Sequence, residues 1–258
     1  ESMGRLYIRR SGQDAERLTR DSSSRHELSP VFSPDGKDVF FITWSDRDLG
    51  GIFKVSVRGG RPKPVLATPG HYVDLNISED GKMLVFSKLS GSALTNPHWG
   101  SNPGIYTYTL GEDHAEFVSE RGRSPHFGPN KRIFATERIR TATGRGSDDA
   151  ATDLISMTLD GKAIQTHATS PLATVIQISP TGSHVAYREA GRLYAAALPA
   201  TGRSVTLSSV ADIDSGPSAF ATERISASGG EFIKWSRDGQ ALTWSIGPRF
   251  MQYRIDAS

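Results

Sequence analysis

The side chains with the most obvious potential for chemistry are seven histidines, and their spacing does not match a conventional metal site. They form neither a His-x-His nor a His-Glu-x-x-His pair, which are common zinc-binding spacings. The absence of cysteine excludes disulfides and cysteine-based zinc sites. Neither a Gly-x-Ser-x-Gly nucleophile turn nor a Walker phosphate loop is present. We therefore predict no catalytic residue, no metal ligand and no cofactor in these residues.

Four side chains form the best candidate ligand-binding group. His26, His71 and Arg121 each lie nine residues before the third position of a recurring turn, which is Asp35, Asp80 or Asn130, and His126 follows shortly after Arg121. Equivalent positions in neighbouring repeats can face one shared ligand. The alternative is that they are polar residues in turns, with hydrogen bonds to the nearby backbone.

The recurring turn is an internal repeat. Its five copies have spacings of 45, 50, 51 and 57 residues and read SPVFSPDG (29–36), DLNISEDG (74–81), SPHFGPN (124–130), VIQISPTG (175–182) and FIKWSRDG (232–239). A period in this range with strand-like flanks is typical of a β-propeller. Each copy predicts the hairpin that joins the first two strands of a blade.

Two further strands follow each hairpin. The predicted third strands alternate in polarity and lie at 50–57, 104–110, 153–159, 191–198 and 249–255. The fourth strand of the first unit, at 63–66, contains a proline, which favours an outer sheet edge. For the fourth unit, 205–207 and 223–226 are alternative fourth strands. Four antiparallel strands per unit describe a propeller blade.

The fold prediction is an all-β, six-bladed propeller that forms a single domain over residues 1–258. Residues 4–10 match a third strand and residues 16–19 a fourth, so residues 1–20 are expected to end a preceding or closing blade. The propeller is expected to be incomplete or part of a longer array. An open propeller exposes a strand edge, which favours pairing with another chain.

Two predicted loops interrupt the repeat, at 89–103 and 138–151. The first carries His98 and Trp99, and an aromatic side chain on a long loop can serve as an interface anchor. Trp99 folding back over its own blade is an equal alternative. Trp44, Trp235 and Trp244 lie in predicted strands and are expected to pack between blades.

Three turn aspartates suggest a metal at first sight, but a structural role is the stronger prediction. Asp35, Asp80 and Asp238 directly precede a glycine in a tight turn, where an aspartate hydrogen-bonds to its own backbone. We therefore assign these residues to turn formation.

The charge balance excludes a nucleic-acid surface, because 30 Lys and Arg against 28 Asp and Glu give a net charge of only +2. No apolar run is long enough for a membrane span. Residues 1–10 contain no signal peptide. The oligomeric state is left open.

The motifs SPVFSPDG (29–36) and GIFKVSVRGG (51–60), with Arg17-Leu18-Thr19, resemble the TolB-like (WD40-like, PD40) repeats of bacterial propellers. Residues 43–46, 124–130 and 229–247 look like the propeller that precedes a metal-dependent amidohydrolase domain in certain bacterial proteins. The copy at 124–130 departs from the repeat, since its glycine is missing after Asn130. The resemblance implies a non-catalytic domain beside a catalytic one, in a periplasmic or secreted protein.

Three functions follow from this reading. The first is a non-catalytic scaffold for a protein partner or a fused amidohydrolase. The second is a stand-alone TolB-like periplasmic binding protein. The third is a propeller hydrolase or lyase that uses the four candidate side chains at the channel mouth.

Overall fold

The computed structural model describes residues 1–20, 25–90, 102–140, 150–199, 202–208, 222–226, 228–247 and 249–255. These residues are almost entirely strand and turn. The chain divides into two compact units, Glu1–His126 and Phe127–Ser258. No helix in the described ranges is both long and apolar enough to cross a membrane.

The first unit contains a two-stranded ribbon and two four-stranded sheets, which follow one another along the chain. Their orders are β1-β2, β3-β4-β5-β6 and β10-β9-β8-β7. The strands are β1 (Tyr7–Ile8), β2 (Glu16–Arg17), β3 (His26–Phe32), β4 (Asp38–Trp44), β5 (Gly50–Ser56), β6 (Lys63–Gly70), β7 (Tyr72–Ile77), β8 (Met83–Lys88), β9 (Gly104–Thr109) and β10 (Glu116–Ser119). Strand β11 (Arg123–Phe127) spans the division between the units.

The second unit contains three more sheets with the same sequential order. It begins with a short 3₁₀ turn, η1 (Pro129–Lys131). The strands are β12 (Ile133–Arg140), β13 (Ala150–Met157), β14 (Gln165–Ser170), β15 (Ala173–Ile178), β16 (His184–Glu189), β17 (Arg192–Ala197), β18 (Val205–Thr206), β19 (Thr222–Arg224), β20 (Glu231–Trp235), β21 (Ala241–Ile246) and β22 (Arg249–Arg254). Within the unit, β12, β13, β14 and β18 are adjacent in one sheet, β15-β16-β17-β19 form the next, and β20-β21-β22 form the last.

The predicted hairpins are confirmed, and so is the turn chemistry. In the first turn, Asp35 Oδ1 accepts hydrogen bonds from Ser33 Oγ at 2.7 Å and from the Lys37 amide at 3.1 Å. Ser33 Oγ also accepts from the Asp38 amide at 2.9 Å. The same contacts recur at Ser78–Asp80 and Ser236–Asp238. Each turn is therefore closed by hydrogen bonds from its own side chains, which explains why the short repeated motif predicts the hairpin.

The structure also resolves the choice of fourth strand. Thr222–Arg224 pairs antiparallel with β17 and completes that sheet. Val205–Thr206 pairs in parallel with β14 instead, outside the sheet where a fourth strand was needed. The proline-containing strand β6 lies at a sheet edge, as predicted.

The predicted six blades of four strands are not all found. The described residues form five sheets of at least three strands, and the remaining pair is only the β1-β2 ribbon. The last sheet has three strands in this part of the chain. In this ribbon Tyr7 pairs with Arg17 and Ile8 pairs with Glu16.

The core lies between consecutive sheets within each unit. In the first unit, one buried cluster joins β4, β5 and β6 to β7, β8 and β9 through Phe40, Ile52, Leu84 and Phe86, and another joins the ribbon to β4 and β5. In the second unit, buried side chains join β13 to β15 and β16, and β16 and β17 to β20 and β21. Trp244 is buried against Leu193 and Ala195 of the preceding sheet, which confirms its predicted packing role.

Candidate interaction surface

The clearest cluster at the candidate positions is a tryptophan that is paired in a sheet with one histidine and contacts the ring of another. Trp44, at the end of β4, is the strand partner of His26 on β3. Its indole ring also lies 4.5 Å from the His71 ring, centroid to centroid, with 34° between the planes. The structure thus places two of the four candidate residues beside Trp44, His26 by strand pairing and His71 by ring contact. It also confirms that Trp44 packs between consecutive sheets, since His71 leads into β7.

The loop after Trp44 adds charge to this cluster. The Trp44 indole donates to Asp46 Oδ1 at 3.0 Å, and the Arg25 guanidinium lies 3.4 Å from Asp48 Oδ2. Arg25 also lies over the Phe53 ring, 6.0 Å from its centroid. We call Arg25, His26, Trp44, Asp46, Asp48 and His71 the Trp44 surface. Because Arg25 is held by an aromatic face and a carboxylate, its guanidinium is already oriented for a further acceptor.

The loop itself is short and internally bonded. Ser45 Oγ accepts from the Arg47 amide at 3.2 Å and from the Asp48 amide at 3.3 Å. The Ser45 amide donates to the Leu49 carbonyl at 3.2 Å. These bonds hold Asp46 and Asp48 in place at an exposed position, so a binding partner would not have to order the loop.

Residues 1–19 support the Trp44 surface through contacts with Arg25, His26 and Glu27. The buried Glu27 carboxylate accepts from the Leu6 amide and from Thr19 Oγ1, both at 2.8 Å. Arg5 donates to the Arg25 carbonyl at 2.9 Å. A methyl group at Gly4 would lie 2.2 Å from His26 Nδ1, and Gly4 has φ +68°. The His26 ring therefore packs directly on a backbone that only glycine accommodates easily.

Burial affects the charge of His71, one of the two histidines of the Trp44 surface. Partial burial lowers the pKa of His71 below its usual value of 6.5. His71 is consequently neutral at pH 7, where it offers one donor and one acceptor as well as an apolar ring. The surface thus combines an aromatic and neutral centre with a guanidinium and two carboxylates at its margin.

The other predicted residues lie elsewhere. Arg121 is exposed beyond the end of β10, where its amide donates to Ser119 Oγ at 3.0 Å. His126 is buried in β11, and its Nδ1 lies 3.2 Å from the Ser124 carbonyl oxygen. His98 and Trp99 fall outside the described residues.

Sequence reasoning missed two features. The first is the role of Arg25, Asp46 and Asp48, for which the only signal was an acidic loop directly after a strand tryptophan. The second is a repeated bulge in the first strand of the blades. The bulge residue has a positive φ at Ser29 (51°), Asp74 (58°), Ser124 (51°) and Phe232 (55°). Each lies six residues before the third turn position, so the same backbone strain recurs in different sheets.

The first-unit bulges are connected through Asp74. Its Oδ2 accepts from the Ser124 amide at 3.1 Å, and Ser124 Oγ lies 3.4 Å away. The Asp74 carboxylate therefore links β7 to β11, the first strands of two consecutive sheets. Across the described ranges, no group of three His, Asp or Glu side chains is arranged to hold a metal ion.

Comparison with known proteins extends these observations. No protein-family model matches the chain, and no curated protein matches it. Among solved structures, the chain is similar to a protein assigned as TolB from Agrobacterium tumefaciens, with 17% identity, a TM-score of 0.64, and coverage of 100% of this chain and 85% of that one. It is also similar to TolB from Acinetobacter baumannii, with 16% identity, a TM-score of 0.61, and coverage of 93% of this chain and 54% of that one.

A third similar structure is an enzyme. An oligogalacturonate lyase in complex with manganese matches with 9% identity and a TM-score of 0.54, covering 90% of this chain and 65% of that one. The chain spans only about half of the Acinetobacter protein and two thirds of the lyase. At these identities the likeness defines the fold and not the activity. The chain is an all-β propeller whose structural neighbours include TolB proteins.

Proposed function

We propose that this chain is a non-catalytic, protein-binding propeller that uses the Trp44 surface to hold a polypeptide partner. The observation that carries the proposal is the preorganised combination of Trp44, neutral His71 and oriented Arg25. Aromatic and arginine side chains are the commonest energetic centres of protein interfaces. The similarity to TolB structures supports the propeller scaffold on which this surface lies.

The partner chemistry follows from the surface. An apolar or aromatic side chain of the partner would pack against Trp44 and His71. A neutral acceptor of the partner, such as a backbone carbonyl, would bind Arg25 beside its contact with Asp48, since a further carboxylate there would be repelled by Asp46 and Asp48. We therefore expect a peptide segment that carries a neutral polar acceptor close to an aromatic or aliphatic residue.

A site-specific crosslinking experiment tests the proposal. A photoreactive phenylalanine analogue at Arg47, which is exposed in the loop, should give a discrete crosslinked protein in the native host. Trp44→Ala should abolish that product, because it removes the central contact. The same analogue at Lys82, which is exposed in a turn, is the control and should not give this product.

Two results would contradict the proposal. One is an Arg47 crosslinking pattern that Trp44→Ala leaves unchanged. The other is hydrolysis or lyase turnover by the purified chain, which would favour an enzyme that uses His26, His71, Arg121 and His126.

The proposal includes two candidates for the partner, an amidohydrolase and an envelope protein. The motifs at 43–46, 124–130 and 229–247 support a fused or separate amidohydrolase, whose active site the propeller would position or shield. The TolB-like fold supports a stand-alone periplasmic binding protein as the other form. Identification of the Arg47 crosslinked protein by mass spectrometry separates these two, since it names either an amidohydrolase or an envelope protein.

A further inference from the structure

The last sheet, β20-β21-β22, can be aligned with the other blades through one repeated hydrogen bond. In each aligned sheet, the backbone amide of the residue after the third strand donates to the backbone carbonyl of the residue after the turn glycine. These bonds are Val57 to Lys37 at 2.9 Å, Leu110 to Lys82 at 2.9 Å, Leu198 to Ser183 at 2.7 Å and Ile255 to Gln240 at 2.8 Å. Strand β22 is therefore structurally a third strand, equivalent to β5, β9 and β17.

One position of β22 has an unusual environment. Five residues before the aligned bond, the other blades have Ile52, Ile105 and Leu193, all at most 1% exposed. The equivalent residue of β22 is Phe250, which is 68% exposed. A large apolar side chain thus lies in solvent at the position that is buried in each of the aligned sheets.

At three places in the fold the strand that covers this position has one sequence type, whereas β6 covers Ile52 with Leu66. That type is Glu-x-aliphatic-Ser/Thr, and it occurs as Glu16-Arg17-Leu18-Thr19, Glu116-Phe117-Val118-Ser119 and Glu223-Arg224-Ile225-Ser226. In two copies the aliphatic amide donates to the carbonyl of the buried residue, from Leu18 to Leu6 at 2.9 Å and from Ile225 to Leu193 at 3.0 Å. The final Ser or Thr is buried in all three copies.

The glutamate of this sequence type has a constant partner position. Glu116 lies opposite Thr107, and Glu223 lies opposite Ala195. Both positions align with Gln252 of β22. Arg254 is two residues away on the same strand, so its charge favours an incoming glutamate at this end of the edge.

The outer edge of β22 has backbone groups available for such a strand. The Ile255 amide points toward β21, because it donates to Gln240. Backbone groups alternate in direction along a strand, so those of Phe250, Gln252 and Arg254 point away from β21. Among the described residues, the sheet order places no strand beyond β22.

A buried side chain in the same sheet gives a second, independent indication. The Trp244 ring is 4% exposed, and its Nε1 has no hydrogen-bond partner within the described ranges. The equivalent aromatic residue of the preceding sheet is Tyr187, whose hydroxyl lies 3.5 Å from Thr222 Oγ1 on the fourth strand β19. An unpartnered buried N–H is costly, and a fourth strand is the element that approaches this position in the preceding sheet.

We propose that the edge of β22 binds an extended segment of a partner polypeptide with the sequence Glu-x-aliphatic-Ser/Thr, added as an antiparallel fourth strand. The aliphatic residue of the segment covers Phe250, and its amide donates to the Phe250 carbonyl. The glutamate lies opposite Gln252 and near Arg254. This site is independent of the Trp44 surface.

Peptide binding tests the proposal directly. A fluorescein-labelled peptide of sequence Ala-Thr-Glu-Arg-Ile-Ser-Ala is titrated with the full chain and followed by fluorescence anisotropy. We expect saturable binding with a Kd of about 10–500 µM, with main-chain hydrogen bonds supplying much of the affinity. N-methylation of the isoleucine amide, or Ile→Asp in the peptide, should weaken binding at least about tenfold, because each removes one predicted contact.

Protein variants locate the site. Gln252→Pro removes an outward N–H at an edge where proline is tolerated, and should also weaken binding at least about tenfold. Phe232→Ser, which alters an exposed phenylalanine on β20 at the opposite edge of the sheet, should leave Kd within about twofold. In an ¹H–¹⁵N spectrum, the Trp244 indole signal should shift when the peptide is added. Trp44→Ala should leave peptide binding unchanged.

Three results would overturn the proposal. The first is an absence of binding by the wild-type chain at millimolar concentration. The second is equal binding of the N-methylated or Ile→Asp peptide, which remains decisive if Gln252→Pro fails to fold. The third is a concentration-dependent dimer in sedimentation that Gln252→Pro abolishes, which would assign the edge to a second copy of this chain.

Discussion

Individual carboxylates in this chain are used to build structure. Asp35 and Asp160 are fully exposed, yet hydrogen bonds from Ser33 and Thr158, with those from Lys37 and Lys162, lower the pKa of each to about 2 from a usual 3.8. Donors aligned toward a carboxylate stabilise its ionised form. These turns therefore depend on ionisation and lose part of their support in acid.

The first prediction concerns that acid dependence. Because the pKa of Asp35 is lower in the folded than in the unfolded chain, its contribution is complete above about pH 4 and is lost as the pH falls to about 2. Asp35→Asn should lower the urea midpoint at pH 7 and flatten its decline between pH 4 and pH 2. Asp14→Asn, at an exposed residue before β2, is the control and should behave like wild type. Parallel curves for wild type and Asp35→Asn would contradict the assignment.

The second prediction concerns the buried Glu27 carboxylate. Glu27→Ala leaves the Leu6 amide and the Thr19 hydroxyl without their acceptor, so it should lower the free energy of unfolding by about 2–4 kcal/mol. Glu27→Gln keeps one acceptor oxygen and should cost clearly less. Urea denaturation followed by circular dichroism measures both variants. A loss below about 0.5 kcal/mol for the alanine variant would contradict a structural role for this carboxylate.

At the level of elements, the repeated bulge carries strain in a fixed place. Ser29 adopts φ 51°, a left-handed conformation that costs a non-glycine residue about 1–2 kcal/mol. The strain persists because the flanking residues are fixed by pairing with β4 on either side of the register shift. Such bulges increase the twist of a strand and redirect its side chains.

The third prediction tests that strain with two substitutions at one position. Ser29→Gly should change stability by less than about 0.5 kcal/mol, since relief of strain offsets the entropy of glycine. Ser29→Val should cost about 1–2 kcal/mol, because a β-branched residue is disfavoured at positive φ. Gln165→Val, at an exposed position of β14, is the control and should be nearly neutral. Equal stability of the two Ser29 variants would exclude a left-handed residue there.

The hairpins could be predicted because the residues that form them are close together in the sequence. The fourth strand, the bulges and the Trp44 surface could not, because they depend on residues that are distant in the sequence or on backbone conformation. Ser33, Asp35 and Gly36 close their turn within a few residues, so the motif alone indicates the structure. The choice of Thr222–Arg224 over Val205–Thr206 depends on pairing with β17, about thirty residues away in sequence. The bulge residues share a backbone conformation but not a single residue type, since they are Ser29, Asp74, Ser124 and Phe232. The Trp44 surface forms only when His71 arrives from the following blade.

At the level of the whole molecule, stability is distributed over several small cores, each between neighbouring sheets. Phe86 belongs to the cluster that joins β4–β6 to β7–β9, and Leu154 to the cluster around β13, β15 and β16. Nearest-neighbour packing of this kind is typical of repeat proteins, in which each unit buries its face against the next.

The fourth prediction follows from those separate cores. Phe86→Ala should cost about 3–5 kcal/mol, and Leu154→Ala about 2–5 kcal/mol, because each leaves a cavity in a fully buried cluster. In native-state hydrogen exchange, Phe86→Ala should raise amide exchange most in β7, β8 and β9. Leu154→Ala should do so most in β13, β15 and β16, which makes each variant the control for the other. Uniform changes along the chain would argue against separate cores.

The contacts of Glu27 have a practical consequence for protease sensitivity. Both hydrogen bonds to its carboxylate come from residues 1–19. A protease that trims these residues would remove both hydrogen-bond donors and the Arg5 guanidinium, which lies 4.0 Å from Glu27 Oε1, from this buried carboxylate. It would also remove Gly4, against which the His26 ring packs. We expect the trimmed molecule to open more readily around β3, so removal of residues 1–19 should increase further proteolytic cleavage within the first unit.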